Sequence, residues 1–376
     1  MRRLIFWTHL IAGTLAGIVI LVMSVTGVLL AYEKQTIASA DRRMAGLRTA
    51  GPAMSTERLL AGLKDQGIQA APSSITLRSD PSMPASVTVG RETLLVDPVR
   101  GRVLAPQDAY TRAFFRRITE WHRWLGDRAK GRAATGAANL IFLFLVVSGL
   151  YLWFPRRWAW PNLRAVLWFR TGLSGRARDF NWHNAAGFWA CVPLFFIVLS
   201  GVVMSYSWAN DLVYALNGEA PPAGRRPAPR PERPSAIALE GLDVLVARAK
   251  QQAPDWKTIT FSVPAPGSAP VAFAVDAGNG GQPQYRTTLT LSRGGELLKT
   301  ATFADQSAGQ RARSWMRFVH TGEYYGIAGQ SLAGLASAAG AVLVWTGLAL
   351  AYRRCRRWLS RDPLSSLHHS SGKFAA

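Results

Sequence analysis

The stretch 182–208, WHNAAGFWACVPLFFIVLSGVVMSYSW, decides the fold. From residue 185 to residue 208, 24 positions, it contains no Asp, Glu, Lys or Arg. A helix rises 1.5 Å per residue, so such a run covers a hydrocarbon core of about 30 Å. Three further charge-free runs match it, at 9–32 (24 residues), 133–154 (22) and 329–352 (24). The whole chain of 376 residues is 49% apolar and only 18% charged, a balance that excludes a purely soluble protein. Four transmembrane helices are expected.

The formal net charge of +22 follows these runs. Arg2, Arg3, the 155–182 loop and the tail after Tyr352 hold 14 basic and 2 acidic residues, whereas the long connections 33–132 and 209–328 hold 30 and 20. The positive-inside rule then puts both termini and the short loop in the cytoplasm and both long connections outside. The basic residues are accounted for as membrane flanks and no recognition motif accompanies them, so no nucleic-acid partner is expected. Cys191 in a span and Cys355 in the tail offer no disulfide. Met-Arg-Arg, the first apolar run and Ala38-Ser39-Ala40 resemble a secretory signal, but the run exceeds a signal core of 7–15 residues, and residues 1–32 are read as a retained helix.

The chain repeats itself. An offset of 174 lays His9 on His183, Gly13 on Gly187, Thr26-Gly27 on Ser200-Gly201 and Tyr32 on Tyr206. An offset of 198 lays His122 on His320, Gly131 on Gly329, Gly136 on Gly334 and Ser148-Gly149 on Thr346-Gly347. The unit of helix, outer domain and helix therefore occurs twice, which reads as internal duplication. Its domains are expected at 1–32, 33–132, 133–154, 155–184, 185–208, 209–328, 329–352 and 353–376. Each long connection reads as a helix (55–66 and 238–251) followed by short alternating runs (75–78, 86–89, 93–96 and 102–104; then 258–263, 271–275, 285–291 and 296–302). Turn residues at 264–267, 278–281 and 294–295 separate the later runs, and a Pro- and Arg-rich linker spans 218–234. Amphipathic basic helices at 110–125 and 310–319 lead into the second and fourth spans.

Four of the six histidines sit at these duplicated positions, His9 and His183 at one face of the membrane and His122 and His320 at the other. Imidazole can supply two neutral nitrogen ligands to one iron, and helix bundles hold cofactors with side chains on facing helices. Two haem b groups per chain are expected, with the four histidines as ligands to the haem iron. Trp124 is one of several aromatic residues that suit a flat apolar slot, and Arg117, Arg123 and Arg317 are the candidates to hold propionates. Aromatic residues and arginines gather at membrane interfaces for other reasons, and it is the duplication that singles these positions out. His368-His369, in a polar tail, is given no role. No phosphate loop, dinucleotide fingerprint, zinc spacing or catalytic triad is present, so an electron donor must come from outside the chain.

The motifs WTHLIAG, TGVLLAYE, EWHRWLG, FNWHNAAGFWA and RFVHTGEYYG resemble the PepSY-associated transmembrane family over nearly the whole chain, in particular its inner-membrane ferric-siderophore reductases. The resemblance implies an α-helical integral membrane protein with two periplasmic α+β PepSY-like domains, in the bacterial inner membrane. It implies an enzyme that moves electrons outward to reduce a ferric siderophore, with membrane lipid around it and a cytoplasmic or quinol electron donor. The second copy departs from the first at Tyr324 against Gly126 and at Met316 against Ile118. A different class of reading is a non-enzymatic PepSY membrane protein that binds or regulates a periplasmic protein partner; a transporter subunit has no broken helix to support it.

Overall fold

The computed structural model describes residues 1–45, 52–90, 92–106, 109–154, 159–222, 239–265 and 270–360. In chain order the elements are α1 (Arg2–Leu30), α2 (Glu33–Ala45), α3 (Thr56–Asp65), β1 (Pro72–Arg78), β2 (Ala85–Val89), β3 (Glu92–Val96), β4 (Val103–Pro106), α4 (Ala109–Trp124), α5 (Arg128–Trp153) and α6 (Trp160–Leu167). They continue as α7 (Gly175–Ser205), α8 (Ser207–Ala215), α9 (Leu242–Gln252), β5 (Thr258–Ser262), β6 (Val271–Asp276), β7 (Arg286–Leu291), β8 (Leu297–Thr302), α10 (Ala308–His320) and α11 (Gly326–Leu359). The linker from 223 to 234, the turn residues 266–267 and His368-His369 lie outside the described residues. Two compact units result, one of Met1–Val28, Glu120–Ser205 and Leu332–Ala376, the other of Leu29–Thr119 and Tyr206–Ser331.

The first unit is a helical bundle whose polarity is reversed relative to a soluble protein. Leu15 is 78% exposed and Leu335 70%, whereas Ser200 and Thr346 are 0% and 1% exposed. Apolar side chains outward and small or hydroxylated ones inward suit a lipid solvent, in which helices close on small residues and buried polar groups seek partners within the bundle. Asn139 of α5 does so by donating to Val198 O of α7 at 3.0 Å. The four long helices are each apolar enough to cross a membrane, with mean hydropathy between 1.7 and 2.3. They outrun the charge-free stretches, because backbone bonding continues where side chains have already become polar. Thus α1 starts at Arg2, α5 at Arg128 and α7 at Gly175, and α11 ends at Leu359.

Contacts in this unit recur at the sequence offsets. A Cβ on Gly13 would meet Leu145, and one on Gly187 would meet Leu343, 198 residues further on. Gly27 faces Ser337 and Gly201 faces Asn139, again 198 apart. Hence α1 approaches α5 and α11, and α7 approaches the same two helices through equivalent glycines.

In the second unit the two long connections meet in one antiparallel sheet of eight strands, in the order β4-β3-β2-β1-β5-β6-β7-β8. The segments read as separate modules pair through β1 and β5, with Ile75 opposite Phe261 and Thr76 opposite Thr260. The hydroxyls of Thr76 and Thr260 lie 2.9 Å apart. Helices α3 and α9 cover one face, and Leu59, Leu60, Leu63, Leu242 and Leu245 join the inward strand residues in one core. Their N-termini cap one another: Asp243 accepts from Thr56 N (2.6 Å) and Glu57 N (3.2 Å), while Glu57 accepts from Asp243 N (3.0 Å). A carboxylate at a helix start satisfies otherwise orphaned N–H groups and suits the positive end of the dipole.

Helices α2 and α8 have no counterpart in the sequence reading. Both follow a break at the corresponding residues Tyr32 and Tyr206. The Ala38-Ser39-Ala40 triplet lies inside α2, where Asp41 is buried against Arg112 of α4 at 2.7 Å. The carbonyl of Ala31 freed at the first break accepts from Gln330 Nε2 at 2.8 Å.

Candidate functional site

Within the bundle, a cavity of about 700 Å³ is lined by both His9 of α1 and His183 of α7. Its walls are apolar, with glycines 13, 149, 187 and 347 letting it reach the helix backbones. Arginines 2, 3, 176, 354 and 357 also line it, and among the described residues no Asp or Glu does. That size is typical of small-molecule and cofactor sites. Arg2 donates to Leu152 O (2.6 Å) and Phe154 O (2.9 Å), closing the end of α5, and Arg354 lies over Trp7 with 4.7 Å to the ring centroid. On the same side, Asp179 is buried beside Arg178 (2.9 Å) and Arg353 (3.0 Å).

Each of these histidines is held through one ring nitrogen. His9 Nδ1 lies 2.8 Å from Ser148 Oγ of α5. His183 Nδ1 lies 3.0 Å from Thr346 Oγ1 and 3.1 Å from Leu343 O of α11. The hydroxyl protons are committed elsewhere, since Ser148 donates to Phe144 O and Thr346 to Val342 O, both at 2.7 Å. Each hydroxyl oxygen therefore accepts, Nδ1 carries the hydrogen, and Nε2 keeps its lone pair. That is the tautomer a metal-ligating imidazole needs.

His122, near the end of α4, makes the same kind of contact through Nδ1. Its Nδ1 lies 2.9 Å from Thr26 Oγ1 of α1, and Thr26 donates to Val22 O at 2.6 Å. The corner after His122 is fixed by Asp127, which accepts from Ala129 N and Lys130 N to cap α5, and by Thr135, which donates to Arg123 O at 2.8 Å. Gly131 sits directly on the Trp124 carbonyl, where no side chain fits. In the second unit, Gly329 rests in the same way on Gly322 O, just beyond His320 at the end of α10.

The residues expected to hold propionates are differently engaged. The guanidinium of Arg123 lies over the Trp124 ring at 4.6 Å, and that of Arg128 over the same ring at 4.4 Å. Arg317 lies beside Phe318 at 5.8 Å, and both it and Arg117 are exposed. The cavity lined by His9 and His183 has its own arginines, of which Arg2 and Arg354 make the contacts given above and Arg3, Arg176 and Arg357 complete the rim. Sequence reasoning also assigned no role to Ser148, Thr346 and Thr26. Their signal was the repeated Ser/Thr-Gly pair, but the histidine each one meets is 96 to 163 residues away.

Among the described residues, no three His, Cys, Asp or Glu side chains converge. The donor set is a pair of neutral imidazoles at an apolar cavity with a basic rim. Such residues fit a haem, whose macrocycle brings four ligands of its own, whose faces are apolar and whose propionates are anionic.

Fold and site together define an integral membrane protein: four membrane-spanning helices, two of which carry half-buried histidines at one cavity, with a sheet-and-helix unit built from the two long connections. The model of the family described as PepSY-associated TM region matches residues 6–354, and the chain belongs to that family. No curated protein matches it.

Proposed function

We propose that the protein is a haem-containing oxidoreductase of the bacterial inner membrane that passes electrons outward to ferric siderophores in the periplasm and releases ferrous iron. The observation that carries this reading is the pairing of His9 and His183 at one cavity, each with Nδ1 tied to a hydroxyl and Nε2 left basic. Recurrence of the glycine contacts at fixed offsets supports internal duplication. The correspondence of His122 with His320 in the sequence repeat supports a second haem b on the outer side. The charge distribution supports termini on the cytoplasmic side and the two PepSY-like segments, joined in one sheet, in the periplasm.

Bound haem supplies one-electron chemistry that no side chain of an apolar span offers. The chain's own part is to orient and insulate. His9 and His183 present fixed ring nitrogens, the arginine rim neutralises carboxylates, and the apolar walls keep water from the path. No acid or base residue is required, because ferrous iron binds hard oxygen donors more weakly than ferric iron, so one electron suffices for release. The electron donor is a cytoplasmic protein or a membrane quinol.

The test is a reduced-minus-oxidised absorption spectrum of the detergent-purified protein with haem quantified per chain. About two haems with six-coordinate features support the reading. Protein from haem-replete cells that contains none refutes it and favours a binding or regulatory role.

A further inference from the structure

We infer that the Ser/Thr-Gly pairs are imidazole clamps: the hydroxyls of Ser148, Thr346 and Thr26 are positioning residues that fix which nitrogen of His9, His183 and His122 faces a metal. This rests on the haem reading above and goes beyond it by assigning residues that bind no ligand themselves.

Three sites on different helices share one geometry. In each, the hydroxyl accepts from Nδ1 at 2.8 to 3.0 Å while giving its own proton to the carbonyl four residues back. At His9 and His183 the glycine that follows makes room for the ring: a Cβ on Gly149 would lie 3.3 Å from His9 Cε1 and one on Gly347 3.3 Å from His183 Cε1, closer than ordinary contact, whereas one on Gly27 would lie 3.7 Å from His122 Cε1, an ordinary contact distance. The two residues thus divide the work, oxygen from the first and space from the second. A hydroxyl engaged in this way cannot turn to donate toward the ring, so it selects a tautomer as well as an orientation. A donated Nδ1 hydrogen also makes Nε2 a stronger electron donor, which favours the ferric state.

The clamps are unequal. His183 retains Leu343 O as a second acceptor when Thr346 is removed, whereas Ser148 is the partner that His9 Nδ1 has among the described residues. Ser148→Ala is therefore the more damaging change. Loss of an outer partner of this kind weakens metal retention about 10- to 100-fold. Where the ferric form loses about tenfold more than the ferrous, the midpoint potential rises by about 59 mV.

The experiment measures haem per chain, midpoint potential and low-spin electron paramagnetic resonance in the full-length protein and in Ser148→Ala, Ser148→Thr, Thr346→Val and Gly149→Ala. The expected result is lost haem or a raised potential in Ser148→Ala, recovery in Ser148→Thr, and a smaller shift in Thr346→Val. Gly149→Ala keeps the hydroxyl and raises helix propensity, yet displaces the ring, so it loses haem without a weakened helix. Ser148→Ala with unchanged haem content and potential, or Ser148→Thr no better than Ser148→Ala, overturns the clamp while leaving the haem reading intact. A wild-type protein without haem overturns both.

Discussion

Replacing Ile75 by alanine tests whether the two long connections behave as one sheet. Ile75 is 0% exposed in β1, facing Phe261 of β5 on one side and Val87 of β2 on the other. Phe261 in turn packs on Phe273 of β6, with ring centroids 4.8 Å apart. Removing a buried Ile side chain to Ala costs about 2–5 kcal/mol, the lost transfer energy plus the cavity left behind. Taking about 3 kcal/mol, amide exchange that requires opening of this core accelerates roughly 150-fold. If the eight strands share one core, that acceleration extends through β2 and β3 on one side and β5, β6 and β7 on the other. Ile75→Val, at about 1 kcal/mol, should produce roughly a fivefold acceleration with the same distribution. Hydrogen exchange read by mass spectrometry on the full chain in detergent checks this. Acceleration confined to residues 72–106, with β5 to β7 at wild-type rates, would refute the shared core and restore two independent modules.

Asp179→Ala should lower the thermal midpoint of the detergent-solubilised protein. Its two arginine partners are 44% and 36% exposed and rehydrate once released, so the cost is about 1–2 kcal/mol instead of the 3–5 of a fully buried pair; a double-mutant cycle with Arg353→Ala measures the coupling. The carboxyl of Glu219 is held below its ordinary range by Ser307 Oγ at 2.5 Å and by the N–H of Gly309 at 3.0 Å. A depressed carboxylate stabilises above its unfolded value, near 4.5, and loses that contribution as pH falls through the folded one. Amide protection at the start of α10, corrected for intrinsic rates, should fall below that range, and Glu219→Gln should abolish the dependence. Finally, under the proposed haem reading, His183→Ala should remove the haem held with His9 and leave the second one reducible by dithionite; simultaneous loss of both spectra argues against separate sites.

Much of this was legible because the decisive signals are local. Charge-free runs of 22 to 24 residues identify the four membrane helices, and a short run bounded by turn residues, as at 271–275, identifies a strand whose burial alternates along it. Caps are equally short-range: Ser55 bonds Arg58 N, and Ser307 with Gln310 forms a reciprocal box, all within four residues. The histidine repeat also belongs to the sequence, since equal spacing needs no coordinates to be seen. Helix α2 was not readable, because EKQTIASADRRMA has no apolar stripe to announce a buried face. Its burial comes from Asp41 meeting Arg112, a partner 71 residues away.

The sequence by itself determined the membrane helices, the strands and the four duplicated histidines. Tertiary structure decided which edges and nitrogens meet. An edge strand carries the same unpaired N–H and C=O groups whatever its eventual partner, so nothing local in β1 specifies β5. Likewise an imidazole has two nitrogens of equal standing until a hydroxyl from another helix claims one of them, and only the folded bundle brings Ser148 to His9 and Thr346 to His183.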